Sequence, residues 1–315
     1  MDHPLTAPEA AALIAQRLPR WVVRSVELLG EGDFCTAHLV NGEWVFRFAR
    51  HREAAESLAR EACLLPRIAR GLPLPVPVPQ VVALDHRPPF VAYPLLPGPA
   101  LTRERYLQLP PVDRDRCAVQ VADFLARLHA TDLAITAGCG LAPTSYPARH
   151  QEVLSRARVR LFGELAAPVR AFVERVIDED RISRARPGAN IREVLLHGDL
   201  SPEHILYDEA AAAVTGIIDF GDMAIGDPAW DLVYLYEDYG LDFLGRVLRH
   251  YPGDRAPPLL ARVYRLYVID AVEWASRPTS AAAPDLDQAI ARIADLAWRE
   301  AAQREELLAA GGPGG

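Results

Sequence analysis

Two short stretches near the middle of the chain combine residue types that could carry out chemistry. Leu195–Leu206 reads LLHGDLSPEHIL, with Asp199 two residues after a histidine and His204 five residues after that acid. Gly216–Pro228 reads GIIDFGDMAIGDP, with Asp219 between an apolar run and a loop. A carboxylate can orient a hydroxyl group, and oxygen or nitrogen ligands can hold Mg²⁺ on phosphate groups. These residue types at this spacing therefore indicate phosphoryl transfer to a hydroxyl group.

The elements that must position these residues are short strands around the two loops. Apolar segments at Glu193–Leu196, Ile205–Tyr207 and Val214–Ile218 predict three strands. Loops on a small rigid ribbon are a common setting for functional side chains. The alternative is that Asp199 and Asp219 are turn residues that satisfy backbone donors, and it is weaker for the ordered pair than for either motif alone.

The two motifs, taken in order, resemble those of the aminoglycoside phosphotransferase family, and most of all its 2''-phosphotransferases. HGDLSPEHIL followed by GIIDFGDMAIGDP is the most specific part, with a histidine where most kinases have asparagine. Gly30–His51 is similar to the family's glycine-containing loop and the strand after it, and Leu72–Val82 to its proline-rich link. The resemblance runs from about Leu29 to about Gly240, and the stretch beyond Arg277 is not matched to any part of the family.

The resemblance implies an α+β fold of the two-lobed protein-kinase type, with a small antiparallel-sheet N-terminal lobe and a larger, mainly helical C-terminal lobe. We expect an N-terminal nucleotide-binding lobe at residues 1–94, a hinge at 95–98 and a catalytic and substrate-binding lobe at 99–315, with 310–315 as a disordered tail. Periodicity and turn residues predict strands at Trp21–Leu29, Cys35–Val40, Trp44–Phe48, Val81–Leu84 and Phe90–Tyr93. They predict helices at 8–18, Ala54–Arg70, Val112–Thr131, Pro228–Asp238, Leu241–Tyr251, Pro257–Ser276 and Leu286–Ala310, and one or two helices joined near Pro168 at 151–180.

The resemblance also implies a role for each residue of the two motifs. Asp199 is the expected catalytic carboxylate, which accepts a hydrogen bond from the substrate hydroxyl and aims its oxygen at the γ-phosphorus. Asp219 and His204 are the expected Mg²⁺ ligands. Imidazole is a less typical Mg²⁺ ligand than oxygen, so the alternative for His204 is a hydrogen bond that stabilises the loop.

The chain contains no lysine, although a kinase normally holds the nucleotide phosphates with a strand lysine. By resemblance Arg47 takes that position, and Glu61 on the following helix is its partner. Arginine is permanently charged and binds phosphate as a fork, so the electrostatics of the position survive. Without the resemblance, Arg47 would be an ordinary surface residue on a strand and Glu61 a solvated helix residue.

The other expected nucleotide contacts lie in a turn and at the hinge. Gly30 and Gly32 flank a turn whose backbone amides could cover a phosphate, although the full GxGxxG pattern is absent. Tyr93 and Leu96 lie at the hinge, where backbone groups would meet the base of ATP or GTP.

Five acidic residues are candidates for binding a cationic acceptor. The resemblance places acids after the metal loop around the ammonium groups of an aminoglycoside, and here these are Asp222, Glu237, Asp238, Asp270 and Glu273. Asp270 and Glu273 lie three apart on a predicted helix and therefore share a face. Each of the five taken alone would be an ordinary solvated acid.

The activity implied is transfer of the γ-phosphate of ATP or GTP to a hydroxyl group of an aminoglycoside, at the 2'' position, which would give antibiotic resistance. Two alternatives stay open, because a fold does not determine the acceptor. One is the same fold acting on a macrolide, a peptide antibiotic, choline or a sugar. The other is a nucleotide-binding protein without transfer activity, for which the missing lysine is the support.

Composition limits the remaining possibilities. The 315 residues suit one or two soluble domains, and the net charge of −8 argues against nucleic acid as a partner. No apolar run approaches a membrane span, and the N-terminus MDHPLTAPEA is not expected to be a signal peptide. Cys35, Cys63, Cys117 and Cys139 have no metal-binding spacing, so we expect reduced thiols in a cytoplasmic monomer.

Overall fold

The computed structural model describes residues 4–187, 191–252, 257–277 and 285–310. Unit 1 takes the described residues of segments 1–105, 130–141 and 197–223, and unit 2 takes those of 106–129, 142–196 and 224–315. Of the expected tail at 310–315, residues 311–315 lie outside the described residues, and residue 310 is the last residue of a helix. No helix in the described ranges has both the length and the apolar composition needed to cross a bilayer.

Unit 1 is built on a five-stranded antiparallel sheet with the order β1-β2-β3-β5-β4. Its strands are β1 (Val26–Glu31), β2 (Cys35–Val40), β3 (Trp44–Ala49), β4 (Val81–Ala83) and β5 (Phe90–Pro94), and its helices are α1 (Ala7–Arg17) and α2 (Arg52–Ile68). The Asn-Gly signal for a hairpin between β2 and β3 is confirmed, since Asn41 and Gly42 have φ angles of 57° and 72°. Buried Phe46, Phe48 and Phe90 form the core of the sheet.

The first strand begins five residues later than the periodicity predicts. The side chain of Asn41 accepts hydrogen bonds from the backbone N–H groups of Arg24 and Ser25, at 2.7 and 3.2 Å. Trp21 packs edge-on against Trp44 with ring centroids 4.8 Å apart. These contacts give the apolar residues before Val26 a packing role outside the sheet, which alternation alone does not distinguish from a strand.

The prediction of four reduced thiols is wrong for Cys63 and Cys139, which form a disulfide between α2 and the loop that follows a 3-10 turn at Leu133–Thr136. The two cysteines lie 76 residues apart, so their spacing in the sequence does not predict the bond. Arg67, one turn beyond Cys63 on α2, donates hydrogen bonds to the carbonyl oxygens of Ile135 and Ala137 and holds the loop against the helix. The free cysteines, Cys35 and Cys117, are buried.

The motif loops of unit 1 flank a two-stranded antiparallel ribbon. Its strands are β7 (Ile205–Asp208) and β8 (Ala213–Ile217), as the sequence predicts to within a residue or two. A short 3-10 turn at Pro202–His204 leads into β7. The ribbon is short, so the residues before β7 and after β8 are held close to one another.

Unit 2 is mainly helical, with one additional pair of antiparallel strands. The helices of the second half of the fold are α3 (Arg103–Gln108), α4 (Pro111–His129), α5 (Tyr146–Arg160), α6 (Ala167–Ala185), α7 (Ala229–His250), α8 (Pro257–Ala275) and α9 (Leu286–Ala310), and the strands are β6 (Val194–Leu196) and β9 (Ala224–Gly226). The predicted break between residues 238 and 241 corresponds to a kink inside α7, where Gly240 has a φ of 80°. The three-residue strand β9 was not predicted.

Candidate active site

The two motif loops meet through their backbones in unit 1. Gly198 has a φ of +91°, and a Cβ atom on it would lie 2.0 Å from the carbonyl oxygen of Asp222, so only glycine fits. His197 is fully buried, and its Nε2 donates a hydrogen bond to the carbonyl oxygen of Ile218 at 3.0 Å. Its Nδ1 accepts one from the backbone N–H of Asp199 at 3.3 Å. His197 therefore braces the loop that carries Asp199.

His204 faces Asp219 with its free ring nitrogen. Its Nδ1 lies 2.7 Å from the carbonyl oxygen of Asp199, and a carbonyl oxygen can only accept, so Nδ1 carries the proton. In the neutral ring Nε2 then carries a lone pair, and it lies 3.7 Å from Oδ2 of Asp219. That separation is less than twice the Mg²⁺–ligand distance of about 2.1 Å, so both atoms can reach one ion.

Arg47 on β3 is shared between two carboxylates. Its Nη1 lies 3.0 and 2.8 Å from the two carboxylate oxygens of Glu61 on α2, and its Nη2 lies 3.0 Å from Oδ1 of Asp219. The side chain of Glu61 is fully buried, and Arg47 is 8% exposed. The structure therefore brings Arg47 and Glu61 together as the sequence predicts, and connects both to the expected metal ligand.

The electrostatics of this group favour a bound cation. Burial raises the pKa of Glu61, although Arg47 opposes that effect. Burial also acts to raise the pKa of Asp219, but Arg47 and the neighbouring histidines outweigh it and hold the pKa below its ordinary value. Asp219 is therefore ionised at neutral pH. Glu61, with its pKa raised to about 7, is only partly ionised at that pH, so Asp219 and Glu61 together still carry more negative charge than one guanidinium neutralises.

The backbone of Asp219 is itself unusual. Its φ of 59° lies in the left-handed region, which is uncommon outside glycine, although asparagine, aspartate and histidine adopt it more readily than other residues. A hydrogen bond of 3.4 Å from the N–H of Gly221 to Oδ1 of Asp219 and one of 2.8 Å from Ser57 on α2 to the carbonyl oxygen of Gly221 support this turn. Ser57 was not singled out from the sequence. Its position one helical turn before Glu61 is the signal that could have identified it.

The glycines expected to cover the phosphates occupy different positions. Gly32 lies in the turn between β1 and β2, and its N–H donates to the carbonyl oxygen of Cys35 at 3.0 Å. Gly30 lies inside β1, opposite Ala37 and next to an irregularity in the strand pairing. The turn therefore begins after Gly30, at the end of β1.

Tyr93 and Leu96, which the sequence predicts at a hinge, lie near the end of β5 and just after it. Tyr93 is buried, and burial raises its pKa strongly against the effect of nearby Arg47. Leu96 packs on the ribbon, since a Cβ atom on Gly216 would lie 3.0 Å from its Cδ1. Arg47, Tyr93 and Leu96 thus belong to the same unit as the motif loops.

Four of the five predicted acceptor-binding acids lie in unit 2, and Asp222 lies in unit 1. Glu237 on α7 is ion-paired with Arg292 on α9. Glu273 on α8 is bound at 2.8 Å by Nε of Arg149 and at 3.3 Å by Nη2 of Arg156, both on α5. We name the following residues the arginine–acid cluster: Arg149, Arg156, Glu237, Asp270, Glu273 and Arg292.

Glu237, Asp238 and Asp270 are partly buried, and burial changes the pKa of two of them. Burial raises the pKa of Asp270 to about 6, against the effect of Arg149. Burial raises the pKa of Glu237 to about 7, against Arg292 and with the help of Asp270 and Asp238. Asp238, next to Glu237 on α7, is half-buried.

The three arginines of the cluster were not predicted from the sequence. Arg149 and Arg156 lie seven residues apart on α5, two helical turns, so a shared face could have been inferred. Arg292 lies beyond the part of the chain that carries the sequence resemblance, and its contact with Glu237, 55 residues away, is what reveals it.

Comparison with known proteins agrees with this geometry. The chain has a TM-score of 0.81 and 28% identity to the aminoglycoside phosphotransferase APH(2'')-IIIa determined with GDP and kanamycin, covering 93% of this chain and 98% of that one. It is 31% identical over 233 residues to the viomycin phosphotransferase of Streptomyces vinaceus, covering 69% of this chain and 75% of that protein. A macrolide 2'-phosphotransferase of Brachybacterium faecium has a TM-score of 0.64 and 26% identity, covering 97% of this chain and 98% of that one.

These relatives confirm the kinase-like fold predicted from the motifs, and with it a phosphotransferase that acts on a hydroxyl group. Residues 36–266, which include both motif loops and Arg47, match the phosphotransferase enzyme family. The chain belongs to that family.

Proposed function

We propose that this phosphotransferase transfers the γ-phosphate of ATP or GTP to a hydroxyl group of an aminoglycoside. The observation that carries the proposal is the placement of Nε2 of His204 at 3.7 Å from Oδ2 of Asp219, beside the carboxylate of Asp199. A structural relative bound to GDP and kanamycin supports the choice of nucleotide and acceptor. The 2''-hydroxyl as the site of transfer and antibiotic resistance as the outcome rest on the same relative.

Asp199 acts on the acceptor. Its side chain is 31% exposed, so a hydroxyl group can donate a hydrogen bond to it. In that position the carboxylate aims the hydroxyl oxygen at the phosphorus and takes up its proton as the new bond forms. Bracing by His197 keeps the loop of Asp199 in place.

Arg47, Asp219 and His204 act on the donor. The guanidinium of Arg47 supplies positive charge to the phosphates while Glu61 holds it in position through Nη1. Asp219 and His204 would hold Mg²⁺, which when bound neutralises charge on the phosphates. Among the described residues no group of three or more His, Cys, Asp or Glu side chains could hold a metal ion. A pair of ligands fits Mg²⁺, which takes its remaining ligands from phosphate oxygens and water.

A peptide antibiotic is the second acceptor class we propose. It is supported by 31% identity to a viomycin phosphotransferase. We further propose that the enzyme works as a monomer in the cytoplasm, where nucleoside triphosphates are available. Disulfides are rare in that compartment, so a thiol count on protein taken directly from cells will test it.

A nucleoside-diphosphate release assay tests the proposed function. ATP and GTP are supplied in parallel with kanamycin, viomycin and a macrolide, and the product is identified by mass spectrometry. We expect Mg²⁺-dependent release with at least one nucleotide only when an acceptor is present. Nucleotide binding without acceptor-dependent release from any of the three would instead favour a nucleotide-binding protein without transfer activity.

A further inference from the structure

We propose that Arg50 and His51 are positioning residues for the phosphoryl donor. They hold the turn at residues 32–34 so that its free backbone N–H groups can bind the phosphates of a nucleotide. Both residues directly follow β3, and the turn joins β1 to β2, so all of these residues belong to unit 1. The inference rests on the proposed function, since it assumes that this turn covers the phosphates.

Three consecutive carbonyl oxygens of the turn accept hydrogen bonds from these two residues. Nη1 of Arg50 donates to the carbonyl oxygen of Gly32 at 2.6 Å, and the backbone N–H of Arg50 donates to that of Phe34 at 2.9 Å. Nε2 of His51 lies 3.2 Å from the carbonyl oxygen of Asp33, which can only accept, so this nitrogen carries the proton. The acceptors of the turn are therefore all occupied by the two residues after β3.

Two N–H groups of the same turn are left to donate. The N–H of Gly32 donates to the carbonyl oxygen of Cys35 at 3.0 Å, whereas those of Asp33 and Phe34 have no hydrogen-bond partner in the described part of the chain. Both of these residues are exposed. Successive backbone N–H groups with free donors form a concavity that binds anions such as phosphate. With its carbonyl groups tied to Arg50 and His51, the turn can present two donors to a nucleotide.

Arg50 also brings a positive charge to the turn. Among the described residues its guanidinium has no ion-pair partner, unlike that of Arg47, which is paired with Glu61 and Asp219. The side chain of Asp33 places an exposed carboxylate in the same turn, and a carboxylate repels phosphate. The guanidinium of Arg50, bound beside it to the neighbouring carbonyl group, offsets that repulsion.

His51 links the turn to the start of α2. It is the N-cap of that helix, and its Nδ1 accepts a hydrogen bond from the N–H of Ala54 at 3.3 Å. Oε2 of Glu53 lies 3.0 Å from the same nitrogen, so a protonated ring would pair with Glu53 and release Ala54. Nε2 donates to Asp33 in either case, and the ring of Phe34 packs on the imidazole with centroids 5.3 Å apart. The contact with the turn therefore holds in both charge states of His51.

Calorimetric binding of ADP and GDP tests the inference without requiring turnover. We expect Arg50→Ala to raise the nucleotide Kd roughly 10- to 100-fold, the contribution of a charge-assisted contact, and Arg50→Lys to recover most of that loss because it keeps the charge. His51→Asn keeps a side chain that caps α2 but is too short to reach Asp33, so we expect a rise of roughly 2- to 10-fold with Tm unchanged. In steady-state assays the loss should appear in the nucleotide KM and leave the acceptor KM unchanged.

Backbone hydrogen exchange, followed by NMR, measures the turn itself. In the wild type the N–H groups of Asp33 and Phe34 should exchange fast without nucleotide and become protected when ADP or GDP binds. In Arg50→Ala saturated with nucleotide, this protection should be reduced. Arg52→Ala is the matched control, since it removes a neighbouring arginine whose pair with Glu56, at 3.7 Å, lies on the exposed surface of α2. It should match the wild type in both measurements.

The outcomes separate this inference from the function on which it rests. If Arg50→Ala binds nucleotide as well as Arg52→Ala does, or if both N–H groups stay unprotected in the wild-type complex, the inference is wrong even when turnover is normal. If the variants weaken nucleotide binding as expected but no acceptor is phosphorylated, the proposed function fails and the role of Arg50 and His51 stands. Should Arg50→Ala not fold, His51→Asn and the exchange data of the wild type still decide the question.

Discussion

Arg47, Glu61 and Asp219 in unit 1 and the arginine–acid cluster in unit 2 combine the same residue types, but with different numbers of arginines per carboxylate. In unit 1 a single guanidinium, that of Arg47, serves Glu61 and Asp219, and negative charge is left over. In unit 2 Glu237 and Glu273 each have their own arginine. The difference fits the proposed role of Asp219 as a ligand of an external cation, whereas Glu237 and Glu273 already have cationic partners within the protein.

Removing the excess negative charge of unit 1 should have the largest effect. We expect Asp219→Ala to abolish Mg²⁺-dependent turnover, since no other acid of its turn can bridge the phosphates. His204→Asn should be milder, because asparagine supplies an oxygen ligand. Diphosphate release as a function of Mg²⁺ concentration measures both. An inactive His204→Asn beside an active Asp219→Ala would show that the metal site is wrongly assigned.

Asp199→Asn should cut kcat by roughly 10²–10⁴-fold, the usual contribution of a general base. Asparagine keeps the size of the side chain and its contacts within the loop, so folding and nucleotide binding should be preserved. Single-turnover measurements with every acceptor that the enzyme accepts provide the check. Near-normal turnover in a folded variant would remove Asp199 from the catalytic role.

Arg47→Ala should raise the nucleotide KM or lower turnover by about 10- to 100-fold, the contribution of a charge-assisted contact to phosphate. It also leaves Glu61 buried without a partner, which typically destabilises a protein by about 3–5 kcal/mol, so Tm should fall as well. Arg47→Lys keeps the charge and should retain activity. Titrating nucleotide at saturating acceptor, and the reverse, localises the effect. A change confined to the acceptor curve would argue against a phosphate contact.

The smallest effect we predict is a pH dependence of acceptor binding. Burial raises the pKa of Asp270 to about 6, so this carboxyl is ionised above that pH and takes up a proton as pH falls through it. The acceptor KM should therefore rise as pH falls, by about tenfold at pH 5, one unit below the pKa. Asp270→Asn should have a higher KM at neutral pH and lose this dependence. Comparing the two proteins at each pH cancels effects that they share, and identical slopes would contradict the prediction.

Sequence reasoning succeeded where the information is local. Asp199, His204 and Asp219 lie within a short stretch around one ribbon, so strand and turn patterns were enough to bring them together. The Asn-Gly hairpin and the break at Gly240 were likewise readable from backbone requirements. Arg47 and Asp219 are 172 residues apart, and only the resemblance to a family connected them before the structure did.

The sequence did not reveal which residues of common types pair with one another when they lie far apart in the chain. The chain has many arginines, and nothing in the neighbourhood of Arg292 distinguishes it as the partner of Glu237. Nothing in the sequence around Cys63 or Cys139 identifies them as partners either, because disulfide pairing depends on the path of the chain in space. Such pairs depend on tertiary packing, which neither periodicity nor turn chemistry encodes.

The disulfide between Cys63 and Cys139 also makes part of the backbone into a covalent ring. The ring contains residues 95–98 of unit 1 and all of residues 106–129, which belong to unit 2. A protease that cuts the chain once inside the ring therefore leaves a single covalent molecule in the oxidised protein. Such a nicked enzyme should migrate at full length on a denaturing gel without reductant and separate into two fragments once thiol is added.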